Sequence, residues 1–186
     1  NKKALKALKM NVIPEMYDPY PPRTHAYTLK DDKLKPFVKL QDIFKGLSEP
    51  EESADLSQKF YSKAKYMGKH CQGQTEVKLD NIAPTIRSEH HGNIEFRRLS
   101  KNNGGVKHEE LNIGLSERRL TPRECALIQT FPPDYDFVIE KENGRKGSYL
   151  VSPSQAYKII GNAVPPLLAY NIAKRIEKLW DIYFTK

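Results

Sequence analysis

Apolar residues recur along this chain at two different periods, and the change of period divides it. Leu40, Ile43, Phe44 and Leu47 fall at i, i+3, i+4 and i+7, the spacing of one helix face. A second helix is predicted over Ala54–Met67, with Leu56, Phe60, Ala64 and Met67 as its apolar stripe. Glu51, Glu52 and Asp55 stand at its start, Lys63 and Lys65 near its end, which suits the helix dipole, and Gly68 follows as a stop. Between Gly68 and Leu120 the helical period is lost. QTEVKL, APTIRS and NIEFRRL mix or alternate β-branched, aromatic and charged residues, and polar turns, EHHGN and KNNGG, separate or follow them. Short strands with long loops and a positively charged face are expected there.

Helical punctuation returns in RRLTPRECALIQTFPPDY. Thr121 is a cap, Pro122 suits the first helical position and Glu124 falls at N3, a capping box; Pro132 and Pro133 are expected to end the helix. The device recurs in SYLVSPSQAYKIIGNAVPPLLAY, where Ser152 caps, Pro153 follows and Gln155 is at N3. Gly161 is expected to stop that helix after about two turns. Pro165 and Pro166 open a last helix, whose stripe of Leu168, Ile172, Ile176, Leu179 and Tyr183 marks a packed face. Ahead of all these elements, residues 11–36 carry a proline- and aromatic-rich strap, read as an extended connector laid over a surface.

Composition narrows the classes. A chain of 186 residues holds one domain or two small ones and can bury a core. It has no run of 18 apolar residues, so no membrane partner is expected, and its lysine-rich start lacks the apolar region of a secretory signal. The net charge of +8 favours polyanionic partners, because each neutralised phosphate releases counterions. Cys71 and Cys125 stand far apart without a C-x-x-C, which argues against a zinc ribbon or a disulfide scaffold and fits a reducing cytosol. No metal site is expected. A first residue of Asn1 rather than Met is read as a chain cut from, or starting inside, a longer protein.

Two segments carry a resemblance. RLTPRECALIQTFP and SQAYKIIGNAVPPLLAYNIAKRI resemble, in order and spacing, the last two sequence motifs of bacterial-type DNA (cytosine-5) methyltransferases. The first resembles the motif that organises the target-recognition region, the second the motif that returns the chain to the catalytic domain beside S-adenosylmethionine. PYPPRTH resembles the Pro-rich step after the central catalytic motifs, and GKHCQGQ followed by APTIR resembles the recognition region. The family's glycine-rich cofactor loop, Pro-Cys nucleophile, Glu-Asn-Val acid and Gln-x-Arg-x-Arg motif have no counterpart in this sequence.

The resemblance implies an α+β chain: a strand-rich target-recognition domain, then C-terminal helices that in the full enzyme pack on an α/β S-adenosylmethionine-dependent domain. The expected divisions are a connector over 1–36, a target-recognition domain over 37–135, and a hinge with helices of the catalytic domain over 136–186. It implies double-stranded DNA and an N-terminal catalytic domain or subunit as partners, a bacterial cytosolic setting, restriction-modification, and S-adenosyl-L-methionine held mainly by the missing domain.

The family adds a cysteine thiolate to cytosine C6, transfers a methyl group to C5, and first flips the base out of the stack. By resemblance Gln72 pairs with the orphaned guanine and Gly73 lets the backbone approach, against the plainer reading of a polar turn. Thr85, Ile86 and Arg87 fall where the recognition strand meets DNA. Arg87, Arg97 and Arg98 either read guanine or grip phosphate. His90 and His91 belong either to a DNA-facing loop or to a plain surface turn. Thr121, Arg123 and Glu124 are structural, with Arg123 tying down the recognition domain through ion pairs. Asn162, Ala163 and Val164 either line the cofactor pocket or form a corner between helices. No catalytic residue is expected in this chain, which is therefore expected to be inactive alone. The rival expectation is a non-catalytic DNA-binding module or regulator derived from such an enzyme.

Overall fold

The computed structural model describes residues 6, 20–27, 33–88, 94–145 and 147–184. The chain forms two compact units, Phe37–Pro165 and a smaller one made of Asn1–Pro36 and Pro166–Lys186. Short helices mix with two-stranded pairs, an α+β composition. In the smaller unit β1 (His25–Ala26) pairs in parallel with β2 (Lys35–Pro36). Most of the proline-rich strap lies outside the described residues.

The larger unit opens with α1 (Leu40–Ile43), a single turn with Leu40 buried. Its first two N–H groups, which no helix can satisfy internally, donate to the carbonyls of Asn81 and Leu79 at 3.0 and 2.9 Å. α2 (Leu56–Lys59) starts where the Asp55 carboxylate accepts the Ser57 N–H at 2.8 Å. The expected helix to Met67 does not form: Phe60 turns extended, and the backbone beyond it finds distant partners. The Ser62 N–H donates to the Tyr157 hydroxyl, the Ala64 and Lys65 carbonyls accept from Arg119, and the Met67 N–H donates to Gln74. Those bonds replace the helical ladder, so tertiary context overrides the local period.

Of the three expected strand segments, NIEFRRL supplies β3 (Phe96–Arg98). QTEVKL lies alongside it through one parallel bridge, Glu76 to Phe96, and APTIRS forms no strand. β3 pairs antiparallel with β4 (Arg118–Arg119), and the excursion between them contains α3 (His108–Asn112).

α4 (Pro122–Ile128) begins with a complete capping box: the Thr121 hydroxyl accepts the Glu124 N–H at 3.0 Å and the Glu124 carboxylate accepts the Thr121 N–H at 2.9 Å. It ends before Pro132. The Thr130 N–H donates to Leu127 and the Phe131 N–H to Ala126, a Schellman closure with Thr130 at φ 64°. A β-branched residue in that left-handed region is strained. β5 (Ile139–Glu140) and β6 (Tyr149–Val151) form an antiparallel hairpin, and α5 (Pro153–Asn162) follows with a second capping box, Ser152 with Gln155.

Gly161 does not stop α5; the helix runs through it to Asn162. A Cβ at Gly161 would stand 2.2 Å from the carbonyl carbon and oxygen of Arg87. The glycine is there for close backbone approach, and the helix ends because a residue before proline, here Val164 before Pro165, is pushed extended. The core joins α4, through Cys125 and Ala126, to α5, through Ala156, Tyr157 and Ile160. The unit therefore continues to Pro165, past the expected division at 135/136.

In the smaller unit α6 (Pro166–Lys178) breaks at Leu179 and continues as α7 (Trp180–Phe184). Leu179 is buried, whereas Leu168, Ile172 and Ile176, expected on a packed face, are exposed; the Tyr183 side chain is outside those described.

Candidate nucleic-acid interface

The chain turns sharply between Gly68 and Gln74. Gly68 and Gly73 take positive φ, 97° and 68°, which side chains with a Cβ rarely adopt. Gln72 is exposed at the tip and Gly73 is buried behind it. Gln74, two residues on, is buried and braces the turn from inside: its Oε1 accepts the Met67 N–H at 2.8 Å and its Nε2 donates to the Gln72 carbonyl at 3.3 Å.

Arg119 supports the same turn. Its Nε donates to the Ala64 carbonyl at 2.8 Å, Nη2 to Lys65 at 3.2 Å, and Nη1 to Gly73 at 2.9 Å and to Ile94. The guanidinium carbon lies 4.1 Å from the Phe96 ring centroid. These bonds all go to carbonyls. Burial draws the Arg119 pKa below its ordinary value, with Tyr157, Glu117 and Glu95 opposing.

Thr85 is exposed, and Arg87 pairs with Glu95 at 3.6 Å. Ile86, expected at the DNA face, instead puts its side chain into the core, because APTIRS packs an apolar residue inward as it passes. Arg97 donates from Nη2 to Glu110 at 3.1 Å. Nη1 of Arg87 and Nη1 of Arg97 are enclosed with no hydrogen-bond partner among the described residues. Arg98 is buried, with Glu49 at 3.1 Å and Glu110 at 2.5 Å, so it is an internal tie and not the DNA contact expected of it. His90 and His91 lie outside the described residues. Three candidates lie on segments that reach β3 or the residue before it: the turn of Gln72 leads to Glu76, which bridges Phe96, Arg87 pairs with Glu95, and Arg97 is in the strand.

Behind this face is a network of buried arginines. Arg118 makes a two-pronged pair with Glu124, at 2.8 and 2.9 Å, and donates from Nε to Glu49 at 2.9 Å. Burial alone would lower its pKa, but Glu124 and Glu49 drive it upward. Arg123 donates to Asp55 at 2.5 Å and to the Tyr135 carbonyl at 2.9 Å. Sequence reasoning singled out Arg123 and missed Arg118 and Arg119. The available signal was their adjacency in a strand ahead of the cap, since successive strand residues face opposite sides and both sides here are interior.

At the end of α5, Asn162 and Val164 are exposed and Ala163 takes an extended backbone, its N–H donating to Ile160 at 3.2 Å. This turn follows directly on Gly161, and so on its contact with Arg87. Among the described residues no group of three metal-ligating side chains occurs, and no helix is long and apolar enough to cross a membrane.

The sequence model of C-5 cytosine-specific DNA methylases matches residues 7–178, and the chain belongs to that family. It is 32% identical over 162 residues, 86% of its length, to Type II methyltransferase M.BspRI of Lysinibacillus sphaericus, covering 35% of that protein. It is 42% identical over 67 residues, 36% of its length, to Type II methyltransferase M.AquIB of Picosynechococcus sp., covering 48% of it. It is 48% identical over 61 residues, 33% of its length, to Type II methyltransferase M.FnuDI of Fusobacterium nucleatum, covering 14% of it. The chain thus spans less than half the length of each of these curated relatives.

Proposed function

We propose that this chain is the DNA-recognition portion of a DNA (cytosine-5) methyltransferase acting in restriction-modification. The observation that carries the reading is the Gly68–Gln74 turn, which presents an exposed carboxamide at Gln72 on a backbone kept narrow by Gly73. A flipped cytosine leaves a hole opposite guanine, and a carboxamide offers both a donor and an acceptor to that orphaned base. Thr85, which is exposed, and Arg87, steadied by Glu95, contact the duplex, and Arg97, largely enclosed and paired with Glu110, joins them only by turning outward. Thr121, Arg123 and Glu124 hold the frame.

Asn162 and Val164 offer one exposed polar and one exposed apolar group on either side of Ala163, a donor set that fits one wall of a pocket for S-adenosylmethionine. When bound, that cofactor supplies the methyl group. With no glycine-rich loop in the sequence, the chain alone binds it weakly, so calorimetry that finds micromolar affinity would count against this division of labour.

The nucleophile comes from an N-terminal catalytic domain or subunit, and the chain is inactive without it. A divided enzyme gains support from M.AquIB: 67 matched residues make up 48% of that protein, so it is itself shorter than this chain. The exposed stripe of α6 disfavours a stand-alone regulator, which would have to cover that face within its own fold. The test is complementation. Mixed with a catalytic portion carrying the Pro-Cys nucleophile, the chain should restore methyl transfer to cytosine in duplex DNA; silence from two well-folded partners refutes the proposal.

A further inference from the structure

We infer that Arg119 is the positioning residue for the turn that presents Gln72: one buried guanidinium spans both necks of the turn and sets its tip. The inference rests on the reading of Gln72 given above and adds the device that holds it.

Ala64 and Lys65 precede the turn, Gly73 closes it, and Ile94 belongs to a third segment; all four carbonyls accept from Arg119. A guanidinium carries five N–H donors in a rigid planar fork, so it can fix three strands of backbone at set distances. A lysine ammonium in the same place has three donors on a flexible stem and cannot span them. The Phe96 ring, 4.1 Å away, locks the plane of the fork. Gln74 makes a second, smaller brace between Met67 and Gln72. Gln72 itself is exposed, so the brace fixes the backbone and leaves the reading side chain open.

The charge of Arg119 points the same way. Its hydrogen bonds go to carbonyls, unlike those of Arg98, Arg118 and Arg123, which reach carboxylates. A buried cation is costly unless its donors are all engaged. Opening the turn would strip Arg119 of the Gly73 carbonyl, so the closed turn and the buried charge stabilise each other. The positive charge that remains behind the turn also suits an element that must come close to phosphates.

The test uses the full chain and the complemented enzyme. In the full chain Arg119→Lys should speed amide hydrogen exchange over Lys65–Gln74 by about tenfold or more, with α4 unchanged. In the complemented enzyme, a fluorescent base analogue at the target position should lose about tenfold of its flipping signal, while duplex affinity stays within about threefold. Unchanged exchange in the turn, or parallel loss of affinity and flipping, overturns the inference. Gln72→Ala separates the two levels. If it flips as well as the parent chain, the reading of the turn fails and this inference with it; if it is dim while Arg119→Lys is bright, this inference alone fails. Should Arg119→Lys not fold, the parent chain decides: the Met67 amide should exchange within about tenfold of the Leu120 amide, and far faster local opening at Met67 overturns the clamp.

Discussion

Between Phe96 and Glu124 the chain draws guanidinium groups inward, whereas from Pro166 to Phe184 it turns hydrocarbon outward. Arg98 and Arg119 are each 1% exposed, while Trp180 and Phe184 are 54% and 61% exposed. Soluble proteins ordinarily bury the second kind and wet the first. The arginines tolerate burial because fixed partners meet them: Glu49 and Glu110 for Arg98, Glu124 for Arg118, Asp55 for Arg123, and carbonyls for Arg119. On the outward face of α6 and α7 the Trp180 ring packs tilted against its neighbour Phe184, their ring centroids 4.5 Å apart, and both rings stay exposed. The arginines are completed within Phe37–Pro165; the apolar side chains of α6 and α7 named above stay exposed.

That contrast can be broken at four points. Glu124→Ala is the harshest, because it removes half of the capping box and leaves Arg118 buried beside Glu49 alone. Urea unfolding should show a loss of roughly 3–5 kcal/mol, and a loss under about 1 kcal/mol would mean the buried pair contributes little. Gly161→Ala comes next: its methyl group would overlap the Arg87 carbonyl, and forcing it in should cost roughly 1–3 kcal/mol by the same measurement.

A smaller effect concerns acid. Burial alone would raise the Glu110 pKa, but Arg97 and Arg98 overcome this and hold it below 4.5. Folding therefore favours the ionised form, and that contribution is present above pH 4.5 and lost as pH falls through the folded value. Glu110→Gln should lower stability more at neutral pH than below pH 4.5, flattening the acid limb of the unfolding curve; an unchanged limb would remove Glu110 from the network. Least of all, Ile172→Glu on the exposed face of α6 should change the unfolding free energy by under about 0.5 kcal/mol. The same change should weaken complementation by the catalytic portion, and a large loss of stability would show that the face is already covered.

Local chemistry was legible in the sequence and distant chemistry was not. Both capping boxes could be read directly, because Thr121 with Glu124 and Ser152 with Gln155 satisfy backbone groups three residues away. The helix expected to Met67 failed because its backbone groups are claimed by Gln74 and by Tyr157 and Arg119, the last two far outside any local window. Of the candidate interface, the exposed Gln72 and the arginines near β3 were nameable from motif resemblance. The inward turn of Ile86, the burial of Arg98 and the carbonyl partners of Arg119 depend on which segments meet in space. Thr130 shows the same limit at one residue: nothing in the letters IQTFP announces a left-handed threonine closing a helix.

The seat of Gly161 against Arg87 joins main chain to main chain, so its length owes nothing to either residue's side chain. Thr85 and Arg87 can therefore change identity while the spacing to the helix leading into Asn162 stays constant, whereas Ile86 between them is held by the core.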